Sequence, residues 1–311
     1  MIKYRQINLI TGWVVFLAAA ATYLLTIEPT ASLWDCGEFI ASAFKLEVGH
    51  PPGNPVFMVI GRAFTLLAGG DVSKVAAMVN AMSALASAFT ILFLFWTITH
   101  LAGKILIRSE EDYTPGRITA IMSAGVVGAL AYTFSDSFWF SAVEGEVYAL
   151  SSLFTAAVFW AILKWEESSE EAWADRWIIL IAFLMGLSIG VHLLNLLTLP
   201  GIVLVYYFKK YPFSWKGFII STGISFILLA LLLYGIIPGV VTLASKFDLF
   251  FVNTLGLPVN SGMIFLAILI VLFFTLAIRS TLLSRGKSKI SVYAMGALFF
   301  SGMWIISGSF F

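Results

Sequence analysis

The stretch Trp34–Pro55, WDCGEFIASAFKLEVGHPPGNP, decides how the rest of the chain is read. At 3.6 residues per turn, Asp35, Glu38, Ser42 and Lys45 fall on one narrow face. Cys36, Phe39, Ile40, Ala43 and Phe44 take the other. The pattern predicts an amphipathic helix lying in a bilayer interface, with a pair of carboxylates turned to water. His50-Pro51-Pro52-Gly53 ends it, because tandem prolines cannot continue a helix. Residues 55–68 are apolar apart from Arg62, but about 14 residues are too few to cross a ~30 Å hydrocarbon core. They predict a second interfacial or re-entrant helix, closed by Gly69-Gly70-Asp71, with Ser73 capping the helix that follows.

Working outward, the two flanks of this block are long apolar runs. The 311 residues are 60% hydrophobic and only 11% charged, with a mean hydropathy of +0.97. Soluble domains are nearer half apolar and a quarter charged, so the chain reads as an integral membrane protein. The predicted fold is all-α, a polytopic bundle of about nine transmembrane helices. The spans expected are 7–27, 75–105, 118–134, 145–164, 177–190, 192–208, 217–240, 261–279 and 290–310. The first is read as a retained helix, not a cleaved signal, since its small residues Ala18–Ala21 lie inside the run. The chain forms one domain over 1–311, with residues 28–73 as the first outer loop. It stops at Ser309-Phe310-Phe311, still apolar, and the expectation is that a longer protein continues beyond it.

Charge sets the expected orientation. With the N-terminus in the cytoplasm, fourteen of the 18 Lys and Arg residues fall on inner loops. Lys45, Arg62, Lys74 and Lys246 alone fall outside. The positive-inside rule therefore places the first loop in the periplasm of a bacterial inner membrane, or in the lumen if the membrane is that of the endoplasmic reticulum. A net charge of +1 with no basic block speaks against a nucleic-acid partner. The single cysteine, Cys36, excludes an internal disulfide, and three scattered histidines fit no metal motif.

The outer face then collects the reactive groups: Asp35, Glu38, His50, Glu144, Glu146, His192 and Asn195. A carboxylate at this interface serves as a general base once burial or a neighbouring charge raises its pKa. Glu144 and Glu146 open the fourth span in SAVEGEVYALSSLF, where the helix macrodipole alone accounts for either one. An acceptor-binding role weighs evenly against that. Arg62 and Lys45 are placed to hold a phosphate, and snorkelling accounts for both equally well. His192 and Asn195, three apart at a helix start, suit an interhelical contact better than a site. Cys36 reads as a small packing residue.

WDCGEFIASAFKLEVGHPPGNPVF together with AVEGEVYALSSLF resembles a family within the GT-C glycosyltransferases, one long catalogued as a domain of unknown function. It includes an endoplasmic-reticulum protein O-mannosyltransferase of animals and many large proteins of Bacteroidetes. The resemblance is strongest over residues 1–200. It implies an inverting transfer of a sugar from a polyprenyl-phosphate donor to a hydroxyl, Ser or Thr of a protein acceptor, on the non-cytoplasmic side. Mannose is the sugar expected from the eukaryotic relative. Asp35 occupies the position of the base, Glu38 follows it, and His50 opens a turn lining the cavity. No cofactor is demanded; a divalent metal is compatible but not favoured, since Arg62 and Lys45 already supply cations. The competing reading is a transporter or lipid-linked sugar flippase, which would place ionisable residues near the membrane midplane within broken helices.

Overall fold

The computed structural model describes residues 2–50, 53–171, 173–283 and 296. Pro51 and Pro52 of the expected turn, and the expected span 290–310, lie outside the described residues. Every regular element among the described residues is helical. The chain divides into two compact units. The first holds the residues up to Leu163 together with Gly190–Asn195, and the second holds Lys164–Ile189 and the chain from Leu196.

The first unit begins with α1 (Ile2–Leu25), α2 (Cys36–Lys45), α3 (Pro55–Thr65) and α4 (Val75–Leu106). After them come α5 (Pro115–Thr133), α6 (Asp136–Ala142) and α7 (Val147–Ser168), of which the part up to Leu163 belongs to this unit. Helix α4 is its spine, packed against α1, α3 and α5. Its buried side is rich in small residues, among them Ser83, Ala84, Ala86, Ser87 and Ala88. Small side chains let helix backbones approach where lipid offers no hydrophobic drive for association. Gly125 shows the same economy on α5: a β-carbon there would stand 2.6 Å from Thr99 Cγ2 and 2.8 Å from the Phe95 ring on α4. Thr114 caps α5 by accepting from the Arg117 N–H, and Pro115 takes the first helical position, where its missing N–H costs nothing.

Helix α3 lies against α2 and α4, continued by a 3-10 turn, Leu66–Ala68. With α2 it shares a core of Phe39, Ile40, Ala43, Phe57 and Met58, which meets Val79 and Met82 of α4. Both of the short helices expected here form, with two changes. Ser42, expected on the wet face, is buried at 6% exposure among the apolar residues of α2. Its small side chain fits the packed face, and its carbonyl accepts the Glu47 N–H at the end of the helix. Ser73 does not cap α4; instead Asp71 caps the 3-10 turn Val72–Lys74 that leads into it, its Oδ1 accepting both the Ser73 N–H (3.0 Å) and its hydroxyl (2.6 Å).

The second unit carries α8 (Asp175–Ile189), α9 (Leu199–Lys210), α10 (Trp215–Ala230), α11 (Ile237–Leu255) and α12 (Ser261–Leu283). Ser214 caps α10, and its N–H donates to the Tyr207 hydroxyl of α9 at 3.0 Å, closing a tight hairpin. A π-helical segment, Leu231–Ile236, joins α10 to α11 without a break.

Among the described residues, six helices are long and apolar enough to cross a membrane: Lys3–Leu25, Val72–Leu106, Val147–Ser168, Leu193–Lys210, Trp215–Leu255 and Ser261–Ser280. A seventh arises if α5 and α6, bent by 69°, make one broken span. This polytopic membrane bundle differs from the nine spans expected in three places. The expected span 177–190 is α8, whose 15 residues reach only about 22 Å. The expected span 118–134 gives way at Phe134-Ser135 to the bend before α6. The expected loop after residue 240 is helical to Leu255, so Lys246 and Asp248 lie within α11.

Candidate active site

Asp35 sits immediately before α2, and its carbonyl accepts the Phe39 N–H at 2.9 Å, the first turn of that helix. The segment leading to it is pinned at several points. The Glu28 N–H donates to the Val143 carbonyl (3.1 Å), and buried Asn80 of α4 donates from Nδ2 to the carbonyls of Glu28 (2.6 Å) and Thr30 (2.9 Å). Trp34, directly before Asp35, is exposed and holds a φ of 61°, a conformation that a bulky side chain seldom adopts. A carboxylate is thereby presented to water from an anchored backbone.

The chain returns to this point from the far end of α2. Leu46 ends the helix in the left-handed conformation. Arg62 of α3 donates from a guanidinium N–H to the Phe44 carbonyl at 2.5 Å and lies over the Phe44 ring, bracing α2 against α3. Beyond this reversal the His50 N–H donates to Glu38 Oε1 at 2.6 Å, and His50 Nδ1 lies 3.2 Å from Glu38 Oε2. The backbone bond from His50 is the main reason the Glu38 carboxyl is held below the usual carboxylate range. Donor atoms of Asp35, Glu38 and His50 all lie within 4.8 Å of one another. Two carboxylates and an imidazole are a donor set that suits a divalent cation as well as proton-transfer work.

On the other side of Cys36, Glu144 and Glu146 occupy the turn between α6 and α7. Both are buried, at 4% and 5% exposure. Cys36 Sγ lies 3.6 Å from Glu144 Oε2 and 3.8 Å from Glu146 Oε1. The Val147 N–H donates to Glu146 Oε2 at 3.2 Å, so the carboxylate does meet the start of α7 as the macrodipole argument supposes. Burial nevertheless dominates and pushes Glu146 up to about 7; the Val147 N–H offsets part of this, and the charges of Glu144 and Asp35 add to it. The Cys36 thiol is pushed up as well, by burial first and then by the two glutamates. Gly145 between them is closely packed, for a β-carbon there would stand 2.9 Å from Asn80 Oδ1 and 3.1 Å from Ile40 Cγ1.

The two sequence blocks that carry the resemblance are therefore joined in space through Asp35 and Cys36. Sequence reading missed Cys36 as the link, although its place beside Asp35 was the available signal. It also missed Asn80, a buried amide of α4, which holds the Asp35 segment. Other expected site residues make their contacts elsewhere. Lys45 is exposed and 3.8 Å from Glu47. Arg62 is engaged with the end of α2. His192 Nδ1 accepts the Leu194 N–H at 3.2 Å, and its ring lies 5.5 Å from that of Tyr148. Burial lowers its pKa. Asn195 is fully buried.

Comparison with known proteins follows the same residues. A family model described as the Protein O-mannosyl-transferase TMEM260 N-terminal domain matches residues 35–215, beginning at Asp35. A relative from Dictyostelium discoideum named protein O-mannosyl-transferase tmem260 is 25% identical over 202 residues, which are 62% of this chain and 22% of that protein. A relative from Mus musculus named protein O-mannosyl-transferase TMEM260 is 28% identical over 176 residues, 56% of this chain and 22% of its own. The chain thus spans about a fifth of the length of these curated relatives. No solved structure matches it. With more than half of its residues inside the match, including both acidic blocks, the chain belongs to the family of the protein O-mannosyl-transferase TMEM260 N-terminal domain.

Proposed function

We propose that this chain is the membrane-embedded donor module of an inverting glycosyltransferase. It takes a sugar, mannose by its relatives' names, from a polyprenyl-phosphate carrier and passes it to a Ser or Thr hydroxyl of a protein on the periplasmic or luminal side. The observation that carries this reading is Asp35: an exposed carboxylate on a pinned backbone, at the first residue of the family match, between the Glu38–His50 pair and the buried glutamates. The chemistry needs little else. Asp35 accepts the proton of the acceptor hydroxyl as its oxygen attacks the anomeric carbon, and the bond from that carbon to the phosphate oxygen breaks with inversion. The phosphate leaves already charged, so no strong general acid is required. Glu38, kept ionised by the His50 N–H, and the His50 ring orient the incoming hydroxyl. Lys45 and the unused donors of Arg62 lie on the loop where the carrier phosphate arrives.

The test is Asp35→Asn, which keeps the shape and removes the base. Purified variant and parent are compared in transfer of labelled mannose from polyprenyl-phosphate mannose to a Ser/Thr peptide. A general base is worth about 10²–10⁴ in rate. A folded variant that transfers at the parental rate removes Asp35 from this role.

A further inference from the structure

Asn54 stands at the N-terminus of α3 but does not cap it: its side chain accepts no N–H from the first turn. An asparagine at this position usually does so. Here the Gly190 carbonyl takes the Val56 N–H at 2.8 Å and the Phe57 N–H at 3.4 Å instead. Asn54 is only 5% exposed, and its Oδ1 is buried with no hydrogen-bond partner among the described residues. A buried acceptor left open in this way calls for a ligand. Its neighbours indicate the kind. A β-carbon added at Gly49 would stand 3.5 Å from Asn54 Oδ1 and 3.3 Å from Glu38 Oε1, with Met58 Cε at 3.3 Å as an apolar floor. Both oxygens therefore border one gap, which the missing side chain of Gly49 keeps clear. On its other side Glu38 belongs to the cluster with Asp35 and His50, whose donor atoms all lie within 4.8 Å of one another.

We propose that Asp35, Glu38, His50 and Asn54 form the binding site of one divalent transition-metal ion, which holds the carrier phosphate of the donor. Two carboxylates, an imidazole and an amide oxygen make a mixed nitrogen and oxygen set without a thiolate, the kind that Mn²⁺ fits. Cys36, the one thiol nearby, is turned to Glu144 and Glu146 and stays outside the set. Donor atoms about 2.1 Å from a common ion stand at most about 4.2 Å apart, so the cluster needs to close by roughly half an ångström. Charge favours the same assignment. Among the described residues neither Asp35 nor Glu38 forms an ion pair with a Lys or Arg. The two side chains expected to supply positive charge are engaged, Lys45 3.8 Å from Glu47 and Arg62 on the Phe44 carbonyl. Four protein donors leave two positions of an octahedral ion for oxygens of the phosphate. Asp35 gives the ion one oxygen and keeps the other for the hydroxyl proton. The site itself stands on the geometry of the loop, while its service to sugar transfer rests on the function proposed above.

The experiment titrates Mn²⁺ into the full chain in lipid nanodiscs after chelation, following the ion by electron paramagnetic resonance. The parent is expected to bind one ion per chain, with a nitrogen coupling from the His50 ring. His50→Ala should lose that coupling, and both His50→Ala and Asn54→Ala should weaken binding at least about tenfold. Asn54→Asp places a carboxylate where the amide oxygen stood and should bind at least as tightly as the parent, a result that misfolding cannot produce. Transfer from polyprenyl-phosphate mannose to a Ser/Thr peptide should fall at least about tenfold in EDTA and return with Mn²⁺. A parent that binds no Mn²⁺, or binding that is equal in the parent, His50→Ala and Asn54→Ala, overturns the site. Weaker binding by Asn54→Asp than by Asn54→Ala overturns the part given to the amide oxygen. Binding as expected, with transfer indifferent to EDTA, overturns the service to the phosphate and leaves Asp35 as the base. Binding as expected, with no sugar moved either with or without Mn²⁺, upholds the site and overturns the proposed function instead.

Discussion

Gly61 offers the most direct test of whether the α2–α3 contact positions the site. A β-carbon at Gly61 would stand 2.9 Å from Ala43 Cβ, a methyl fixed to the α2 backbone and unable to rotate away. Ordinary contact begins near 3.4 Å, so Gly61→Ala must part the helices by about 0.5 Å. Overpacking of this kind costs about 1–3 kcal/mol, while Ala for Gly within a helix returns about 1 kcal/mol. The net stability change is a loss of roughly 0–2 kcal/mol. Activity should suffer more than stability, because α2 carries Glu38 and follows Asp35. Misplacement by 1 Å can cost about 10²-fold, so half of that predicts about a tenfold slower transfer. Stability is read by heating with a thiol-reactive dye, since buried Cys36 is the sole cysteine and lies at the site itself. Adding Ala43→Gly moves the methyl from one helix to the other and should restore the rate. A Gly61→Ala protein with parental rate and melting, or a double variant as slow as the single one, would refute the reasoning.

The remaining predictions concern the ends of the same loop. Leu46 is exposed and holds φ 56°, ψ 46° where α2 stops, so Leu46→Gly should stabilise the chain by about 1 kcal/mol and raise its melting in the dye assay, whereas Leu46→Val should lower it. Glu146 links stability to pH. Its folded value, about 7, lies above its model-peptide value of 4.5, so folding binds a proton. Its stabilising contribution is whole below about pH 4.5 and is lost as pH rises through about 7, an effect on the order of 3 kcal/mol. Denaturation at pH 5 and pH 8 should show that loss in the parent and little of it in Glu146→Gln; equal losses in both would dismiss the linkage.

Local periodicity made the first loop readable. Asp35, Glu38 and Lys45 fall on the wet side of α2, and Phe39, Ile40 and Ala43 on the packed side, because a short helix against a flat apolar surface obeys its own 3.6-residue repeat. Ser42 breaks the pattern, since a small hydroxyl fits a buried position as well as an exposed one. Span counting failed where polarity was taken as a loop signal. Asp248 lies inside α11 because its carboxylate accepts the Gly262 N–H at 3.0 Å in the first turn of α12, a partner fourteen residues on that no window of hydropathy sees. The buried glutamates were harder still. Their sequence, Glu-Gly-Glu before an apolar helix, is what a solvated helix start looks like, and only Cys36, 108 and 110 residues away, shows that they face inward. The same long-range contact changes what Asp35 means. Taken alone it is one more interfacial acid; with its neighbour Cys36 set against two buried glutamates, it stands where the two sequence blocks meet. The property that matters for chemistry thus arises from the pairing of two blocks, and neither block shows it separately.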